Sequence, residues 1–317
     1  MNPIVTIAIP AYKSAYLREA ISSALNQTVH DIEVIVVNDH SPENLDTIVN
    51  EFNDERLSYY VNEKNLGGQN IVLNWNKCLS LAKGEYFCLL CDDDLYEPGF
   101  LEEMLKLAQK YPSCNVFRSR VKMINGAGHV TDYYPVSPEY ETVPDYMFHR
   151  EKDLRQQTVS EFMLKTLHIR QMGGYMQMPV GWESDIASIY IFGQDGGIVT
   201  SPQSLVSFRQ SGINISTGGR FMKEKIAALN RFSRLINQLL EDNETDKEYA
   251  KIINRWRDIK VNRLKFEYLR ITPWKDLTYL WKHRYSEDVL ILPKDFFIAM
   301  FYRAGYSVVR IMKKIVG

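Results

Sequence analysis

The 317-residue sequence lacks the features that mark membrane-spanning and secreted proteins. No apolar run approaches the roughly 20 residues that a membrane-spanning helix needs. The opening run MNPIVTIAIPAY has no basic start and no small-residue cleavage site, so it does not resemble a signal peptide. We therefore expect the protein to lie in the cytoplasm, or at the inner face of the cell membrane.

Motifs of several enzyme classes are also missing. The glycine patterns GxGxxG and GxxxxGKS/T occur nowhere, which argues against a dinucleotide enzyme and against a P-loop ATPase. The patterns HExxH and GxSxG are absent as well, which argues against a zinc peptidase and an α/β-hydrolase.

Cysteine is scarce, with four residues, of which Cys88 and Cys91 have C-x-x-C spacing. Residues three apart on a strand point to opposite faces, and no second cysteine pair or histidine motif completes a zinc site. We interpret both cysteines as small apolar residues of a core strand.

Strand and helix patterns alternate over about the first 124 residues. Runs such as IVTIAI and IEVIVV are continuously apolar, as strands covered on both faces are. Amphipathic stretches such as SAYLREAISSALNQ and GFLEEMLKLAQKY separate the strands. This order predicts an α/β fold with a mostly parallel sheet and helices on both of its faces.

Later parts of the chain depart from this pattern. Residues 125–215 are rich in Pro, Tyr and Gly and are predicted to be irregular, and a helical pattern begins near residue 218. Residues 1–219 hold 17 Lys and Arg against 27 Asp and Glu, a balance of −10, whereas residues 220–317 hold 21 against 12, a balance of +9. So sharp a shift indicates two functional parts.

These changes predict the domain boundaries. We expect a first domain over residues 1–217 and a basic, helical region over residues 218–317. The first domain would consist of two halves, of about 1–124 and 125–217.

Polar and acidic residues follow three of the predicted strands at the points where the strands end. They are Pro10, Ala11 and Tyr12 after the first strand, Asp39 after the second, and Asp92, Asp93 and Asp94 after the fourth. The carboxyl ends of parallel strands share one edge of a sheet, where ligands of such folds bind.

Three consecutive aspartates after an apolar strand repel one another and are costly to desolvate. Carboxylates suit Mg²⁺ or Mn²⁺, and Mg²⁺ is commonly held by one or two carboxylates together with substrate phosphates. The triplet therefore indicates either a metal site that receives a diphosphate, or a solvated acidic loop at the N-terminus of the next helix. The residue types alone leave both interpretations open.

Five segments occur in a fixed order over residues 4–216. They are VTIAIPAYKSAYLREAISSALNQT, DIEVIVVNDHSPEN, NEKNLGGQNIVLNWNKCLSLAKGEYFCLLCDDDLYEP, GGY with GWESD, and FRQSGINIS. Together they resemble the inverting GT-A glycosyltransferases of glycosyltransferase family 2. The resemblance implies the GT-A fold, a Rossmann-like fold of nucleotide-diphospho-sugar transferases, with a nucleotide-binding half followed by an acceptor half.

The resemblance also implies roles for the strand-end residues. The turn Pro10–Tyr12 would line the nucleobase pocket, and Asp39 would accept a hydrogen bond from uracil or thymine. Asp92 would lie near the ribose, Asp93 would bind Mg²⁺ or Mn²⁺, and Asp94 would support that site.

On the acceptor side, Asp185 in GWESD matches the place of the base that deprotonates the acceptor hydroxyl, and Glu183 is the competing candidate. Arg209 in FRQSGINIS would contact the diphosphate. The second segment departs from the family pattern, because Asn38 stands where relatives usually carry a second acid.

The implied activity is the metal-dependent transfer of a sugar, with inversion, from a nucleoside-diphosphate sugar to a hydroxyl of a glycan or lipid-linked acceptor. A UDP or dTDP donor and a role in surface polysaccharide synthesis are favoured. The alternative is a non-catalytic nucleotide-sugar-binding or scaffold protein on the same fold. A nucleotidyltransferase would carry a Gly-rich basic loop, which PAYKSAY is not, and no nucleic-acid-binding motif occurs.

The C-terminal run KDFFIAMFYRAGYSVVRIMKKIVG is apolar with Lys and Arg along it, a composition typical of helices that lie in a membrane interface. Basic groups near an anionic surface would add to the attraction. Packing of the region on the acidic domain and formation of a homodimer are the other interpretations.

Overall fold

The computed structural model describes residues 2–210 and 221–303. Backbone contacts divide the chain into two compact units, each with its own apolar core. The sheet unit comprises Met1–Gln177 and Ser184–Asn214, and the helical unit comprises Met178–Glu183 and Ile215–Gly317.

The described part of the sheet unit contains ten strands that form one sheet. In chain order they are β1 (Val5–Ala11), β2 (Ile32–Asn38), β3 (Leu57–Val61), β4 (Tyr86–Leu89), β5 (Leu95–Tyr96), β6 (Val116–Asn125), β7 (Val130–Tyr133), β8 (Tyr140–Glu141), β9 (Phe162–Lys165) and β10 (Ile198–Gln210). Their order across the sheet is β3-β2-β1-β4-β9-β6-β10-β5, with β7 beside β6 and β8 beside β10.

The longest strand pairings are parallel, as predicted. β1 pairs in parallel with β2 and β4, β2 with β3, and β6 with β10. The short strand β9 joins β4 to β6 by antiparallel pairing. β2 is buried along its whole length, which explains why its mostly apolar sequence, IEVIVVN, does not alternate between apolar and polar residues.

Helices cover both faces of this sheet. In chain order they are α1 (Leu17–Leu25), α2 (Leu45–Val49), α3 (Ile71–Leu81), α4 (Phe100–Lys110), α5 (Val143–Glu151), α6 (Thr166–Gln171) and α7 (Ser184–Phe192). On one face, Ile7 of β1 shares a core with apolar residues of α1, α2 and α4. On the other face, the Phe87 ring of β4 contacts Tyr175, and Tyr175 contacts Trp75 of α3. The predicted α/β fold is confirmed.

The prediction of irregular structure over residues 125–215 is wrong for the described part of that segment. It contributes the strands β7 to β10 and the helices α5 to α7. β9 has only four residues, too few to show a period. In β10 the register shifts between Ser201 and Ser204, where Pro202 lies, and again between Ser204 and Val206. The irregular register obscures the alternation that identifies a strand.

The described part of the helical unit consists mainly of α8 (Met222–Asp242), α9 (Lys247–Ile271), α10 (Trp274–Lys282) and a helix over residues 293–303. Asp246 caps α9 by accepting from the N–H groups of Glu248 and Tyr249, and Pro273 separates α9 from α10. Buried residues of these helices, such as Leu229, Leu269 and Leu280, form the core. The helical pattern predicted from residue 218 is present over the described residues 221–303.

Across residues 2–210 and 221–303, none of the helices combines the length and the apolar character needed to cross a membrane. The final residues of the predicted interfacial segment, 304–317, lie outside the described residues.

Candidate active site

The ends of β1 and β2 meet at the carboxyl edge of the sheet. The Asp39 N–H donates to the Ala11 carbonyl oxygen at 2.9 Å, which joins the loop after β2 to the end of β1. Pro10 and Ala11 are the last residues of β1, and the Tyr12 side chain that follows is 41% exposed. The structure therefore brings the predicted pocket residues beside Asp39.

The Asp39 carboxylate is buried and organises the loop that leads to α3. Its Oδ1 accepts from Asn62 Nδ2 and from the Leu66 N–H, both at 2.8 Å, and its Oδ2 accepts from the Gly67 N–H at 2.7 Å. A Cβ atom at Gly67 would lie 2.8 Å from Asp39 Oδ2, so any other residue here would displace the Asp39 carboxylate. The predicted contact of Asp39 with a nucleobase stays a prediction.

Asp92 connects the acidic loop after β4 to the loop after β1. Its Oδ2 accepts from the N–H groups of Tyr12 and Lys13, each at 2.8 Å. Burial raises the pKa of Asp92, and these two N–H groups partly oppose that effect. Asp92 thus fixes the backbone of the predicted nucleobase turn.

Asp93 lies within ion-pair distance of a lysine side chain. The Lys13 ammonium lies 3.8 Å from Asp93 Oδ2. Burial raises the pKa of Asp93, while the charges of Lys13 and Arg209 and its own backbone N–H lower it. Lys13 directly follows the predicted pocket residues, but the sequence pattern gave it no role.

Asp94 is fully buried and holds two other segments in place. Its Oδ2 accepts from Ser160 Oγ at 2.6 Å, and its Oδ1 accepts from the Arg209 N–H at 3.0 Å. Burial, together with the charge of Asp93, raises the pKa of Asp94 to about 7. The role of Asp94 in supporting a metal stays a prediction.

Arg209, at the end of β10, is 1% exposed, and its guanidinium group contacts three parts of the sheet unit. Nε donates to the Asp93 carbonyl oxygen at 2.9 Å, Nη1 to the Gly126 carbonyl oxygen at 3.2 Å and Nη2 to Glu19 Oε2 at 2.6 Å. The group also lies 4.2 Å from the centre of the Tyr16 ring. These contacts hold the acidic loop, and the predicted contact with a diphosphate stays a prediction.

The carboxylates at this edge offer oxygen ligands of the kind that suit a divalent ion, and other groups would have to supply the rest of its ligands. In the described parts of the chain, three or more His, Cys, Asp or Glu side chains do not converge into a metal-binding group. The Asp92 and Asp94 carboxylates accept hydrogen bonds from N–H and O–H groups, whereas the Asp93 carboxylate lies beside the ammonium group of Lys13. One carboxylate with substrate phosphates is a common donor set for Mg²⁺.

Asp185 lies in the first turn of α7 and belongs to the sheet unit. Burial raises the pKa of Asp185, against the charge of Arg150 and the N–H groups of Ile186 and Asp185 itself. Glu183 adopts a left-handed backbone conformation with a φ of 61° and is grouped with the helical unit. In that unit, burial and the charge of Glu183 together raise the pKa of Tyr268. The two candidate bases therefore lie in different units.

A short 3-10 turn, Val159–Glu161, lies between the acidic loop and the start of α7. Ser160 Oγ donates to Asp94 and accepts from the Cys91 N–H at 3.1 Å. The next residue, Glu161, interacts electrostatically with Asp185. The turn therefore contacts the acidic loop directly, and its Glu161 lies within electrostatic range of Asp185.

Glu161 is fully buried in an ion pair that the sequence pattern did not reveal. Its Oε1 lies 2.9 Å from Nη2 of Arg118, which is 2% exposed. Burial raises the pKa of Glu161 to about 8, although the charge of Arg118 opposes this. The T-x-x-E spacing of Thr158 and Glu161, typical of a capping box, was the signal that could have placed this turn.

The interpretation of the cysteines as core residues agrees with their positions. Cys88 is buried in β4, and Cys91 is half-buried just after it. All four cysteines are free thiols.

Comparison with known proteins identifies related sequences. Residues 6–163 match the family model described as Glycosyl transferase family 2. An uncharacterized glycosyltransferase of Rickettsia typhi is 41% identical over 116 residues, which are 36% of this chain and 35% of the relative. The chondroitin synthase of Pasteurella multocida is 40% identical over 105 residues, 33% of this chain and 11% of the relative. The matches thus span about a third or less of the length of these curated relatives.

Solved structures resemble the chain over more of its length. A crystal structure of S. aureus TarS in complex with UDP-GlcNAc has a TM-score of 0.66 at 15% identity, over 95% of this chain and 92% of that one. The mannosyltransferase PcManGT of Pyrobaculum calidifontis, in complex with GDP-Man and Mn²⁺, has a TM-score of 0.56 at 14% identity, over 98% and 81% of the two chains. At such identities the similarity concerns the fold, and it confirms the GT-A fold.

The sequence resemblance, the fold and the family model agree over the part of the chain that carries the strand-end carboxylates. By its residues 6–163, the chain belongs to glycosyltransferase family 2.

Proposed function

We propose that the protein is a metal-dependent glycosyltransferase that moves a sugar from a nucleoside-diphosphate sugar to a hydroxyl group of an acceptor, with inversion. The observation that carries the proposal is the turn Val159–Glu161, which contacts the acidic loop through Ser160 and interacts with Asp185 through Glu161. The acidic loop and the candidate base both belong to the sheet unit, and this turn interacts with each of them.

Asp185 is proposed as the catalytic base. A raised pKa suits this role, because a more basic carboxylate takes a proton more readily. It would take the proton of the acceptor hydroxyl while the hydroxyl oxygen attacks the anomeric carbon. In a one-step displacement the leaving group departs from the opposite face, which inverts the anomeric centre, as in inverting glycoside hydrolases.

Asp93 is proposed as the ligand of Mg²⁺ or Mn²⁺, with Asp94 in support. When bound, the ion stabilises the negative charge that develops on the leaving nucleoside diphosphate. The complex of PcManGT with GDP-Man and Mn²⁺ supports the use of a divalent ion. Lys13, 3.8 Å from Asp93, would add positive charge at the same place.

A uridine or thymidine diphosphate sugar is proposed as the donor. Asp39 and the turn Pro10–Tyr12 would contact the base, Asp92 would lie near the ribose, and Arg209 would contact the diphosphate. The UDP-GlcNAc complex of TarS supports a uridine nucleotide. PcManGT is in complex with a GDP-sugar, so the assay compares GDP-sugars with uridine and thymidine diphosphate sugars as donors.

For the acceptor we propose a hydroxyl of a glycan or of a lipid-linked saccharide, in surface polysaccharide synthesis at the cytoplasmic side of the cell membrane. The similarity to a chondroitin synthase supports a glycan acceptor. Residues 218–317 would contribute membrane contact or a homodimer contact.

The test is hydrolysis and transfer from a panel of UDP-, dTDP- and GDP-sugars by the purified full chain with Mn²⁺. We expect release of UDP or dTDP, and the configuration of the product, measured by NMR coupling at the anomeric proton, to be inverted. Asp185→Asn should lower transfer at least about 100-fold, the usual worth of a general base, and leave nucleotide binding intact.

Two variants serve as controls in this assay. Asp195→Asn makes the same change at an exposed residue of the sheet unit and should keep full activity. Glu183→Gln should have a milder effect than Asp185→Asn, and the reverse order would make Glu183 the base. Nucleotide-sugar binding without turnover of any donor would favour the non-catalytic alternative.

A further inference from the structure

The helix over residues 293–303 exposes an apolar face. Phe297 and Phe301, one helical turn apart, are 60% and 76% exposed, and their neighbours Ile298 and Tyr302 are 48% and 57% exposed. The opposite face of the helix is anchored, because Phe296 and Ala299 are buried in the core of the helical unit. The exposure therefore belongs to a helix whose orientation in its unit is fixed by packing.

The exposed face continues onto α10 and the loop that follows it. The Phe297 ring lies 5.1 Å from the Trp281 ring, and the Arg303 guanidinium lies 4.5 Å from the centre of the Trp274 ring. Trp274 is 67% exposed, and Tyr285, whose ring lies 4.6 Å from the Arg284 guanidinium, is 66% exposed. We name Trp274, Tyr285, Phe297, Ile298, Phe301 and Tyr302 the aromatic surface.

Cationic side chains border this surface. Lys275, Lys282 and Lys294 are exposed on the same two helices, whereas Asp276 and Asp295 of these helices are half-buried. The loop that carries Tyr285 also holds two exposed acids, Glu287 and Asp288, so the positive charge is concentrated on the helices. Over the described residues 221–303 the sequence carries 17 Lys and Arg against 12 Asp and Glu. A face with large aromatic groups, flanked by lysines and by arginines that stack on the rings, presents apolar area and positive charge together.

We propose that the aromatic surface binds an anionic lipid membrane. Aromatic rings with a polar edge enter the interfacial region of a bilayer, and lysines beside them attract anionic headgroups. A two-fold contact between copies through this face would place the positively charged helices of both chains together, which is unfavourable. The proposal does not depend on the glycosyltransferase activity.

The test is flotation of the full chain with vesicles of phosphatidylcholine, with and without phosphatidylglycerol. We expect binding to the anionic vesicles that weakens as salt increases. The double variant Phe297→Ser with Phe301→Ser should bind vesicles at least about tenfold more weakly. It lacks the two large apolar side chains whose transfer from water into the bilayer favours binding. Lys275→Glu with Lys294→Glu should reduce binding to anionic vesicles and leave binding to neutral vesicles unchanged.

The matched control is Val130→Ser with Tyr133→Ser, which removes two residues of β7 that are 47% and 48% exposed in the sheet unit. This variant should bind vesicles like the wild type. Circular dichroism should show unchanged helix content in every variant, since only exposed side chains are replaced.

Sedimentation velocity of the same proteins separates the remaining outcomes. A wild-type dimer that the Phe297 and Phe301 changes dissociate, without vesicle binding, would show that a second copy covers the surface and would overturn the proposal. Absence of vesicle binding by a monomeric wild type, or equal binding by wild type and the double Phe variant, would overturn it as well.

Discussion

At the scale of single residues, the three adjacent aspartates after β4 have different surroundings. Asp92 accepts two backbone N–H groups, and Asp94 accepts from Ser160 and from the Arg209 N–H. Asp93 instead has the ammonium of Lys13 at 3.8 Å. The three carboxylates therefore differ in their contacts: those of Asp92 and Asp94 accept hydrogen bonds from neighbouring segments, whereas that of Asp93 lies beside a positive charge.

The first prediction concerns this carboxylate. Asp93→Asn keeps the shape of the side chain and removes its charge, so the fold should survive. Donor turnover with Mn²⁺ should fall by at least about 100-fold, because charge stabilisation by a metal is worth several kcal/mol. Turnover and Mn²⁺ affinity are to be measured beside Asp132→Asn, the same change on the exposed strand β7. Near-normal turnover of Asp93→Asn would remove Asp93 from the metal site.

The second prediction concerns Arg209, which holds the acidic loop through the Asp93 carbonyl oxygen. Arg209→Lys cannot reproduce three guanidinium contacts, and we expect roughly tenfold weaker donor binding, the worth of about one charged hydrogen bond. Glu19→Gln should have a similar effect if Arg209 acts by positioning the loop, since Glu19 accepts from Nη2. Binding is measured by calorimetry, with Arg18→Lys at an exposed ion pair as control. Loss of binding in Arg209→Lys alone would favour direct contact with the diphosphate.

At the scale of elements, the site depends on how closely neighbouring segments approach. The backbone at Gly84, just before β4, runs so close to β1 that a Cβ atom there would lie 2.4 Å from the Thr6 nitrogen. This contact sets the position of β4 and hence of the acidic loop at its end. The glycine of the AKGEYF segment is thus required by sterics.

The third prediction follows from that contact. Gly84→Ala should lower the free energy of unfolding by about 1–3 kcal/mol, because the added methyl group would clash with the backbone of β1 and push β1 and β4 apart. Gly99→Ala is the control, since a Cβ at Gly99 meets no atom within 4 Å and its φ of −88° suits any residue. Urea unfolding of both variants gives the comparison. Equal stability of the two would contradict the steric argument.

Elements differ in how far the sequence alone could predict them. β1, β2 and β4 are mostly apolar without alternation, which follows from burial on both faces, so they were predicted together with the residues at their ends. β9 and β10 were missed because their places in the sheet depend on pairing with β4 and β6, strands that are distant in sequence. Short strands set by long-range pairing leave little periodicity to detect.

At the scale of the whole molecule, the pH dependence of stability reflects ionisable groups that folding buries. Lys265 of α9 is 8% exposed and donates to the Leu290 carbonyl oxygen at 3.1 Å. Burial lowers the pKa of Lys265 to about 8, from the value of 10.5 in an exposed lysine. Below pH 8 the folded chain carries a buried ammonium, and this cost disappears as the pH rises toward 10.5.

The fourth prediction is that Lys265→Met stabilises the folded chain at pH 7 by on the order of 3 kcal/mol, the free energy that corresponds to the lowered pKa. The gain should shrink as the pH rises from 8 to 10.5, because the wild-type amine becomes neutral in the folded state first. Urea unfolding across this range is compared with Lys282→Met, which changes an exposed lysine of α10. A destabilised Lys265→Met at pH 7 would show that the hydrogen bond to Leu290 outweighs the desolvation.

For the site as a whole, the sequence predicted the residues at the strand ends but not what holds them. Asp39, Asp92 and Asp94 were identified by position, and the parallel sheet brings their loops to one edge. The donors that bind their oxygens come from Asn62, Lys13 and Ser160, which are far from them in sequence. Partners of this kind follow from the tertiary fold, so local patterns could not reveal them.

The backbone hydrogen bonds of Asp92 have a consequence for the number of ions that the loop can hold. Three acidic residues stand in a row, but Asp92 accepts two hydrogen bonds on one oxygen and Asp94 accepts one on each of its oxygens. Two-metal sites need several carboxylates that bridge or flank both ions. With Asp93 as the main available carboxylate, titration with Mn²⁺ in the presence of a nucleoside diphosphate should saturate at one ion per chain.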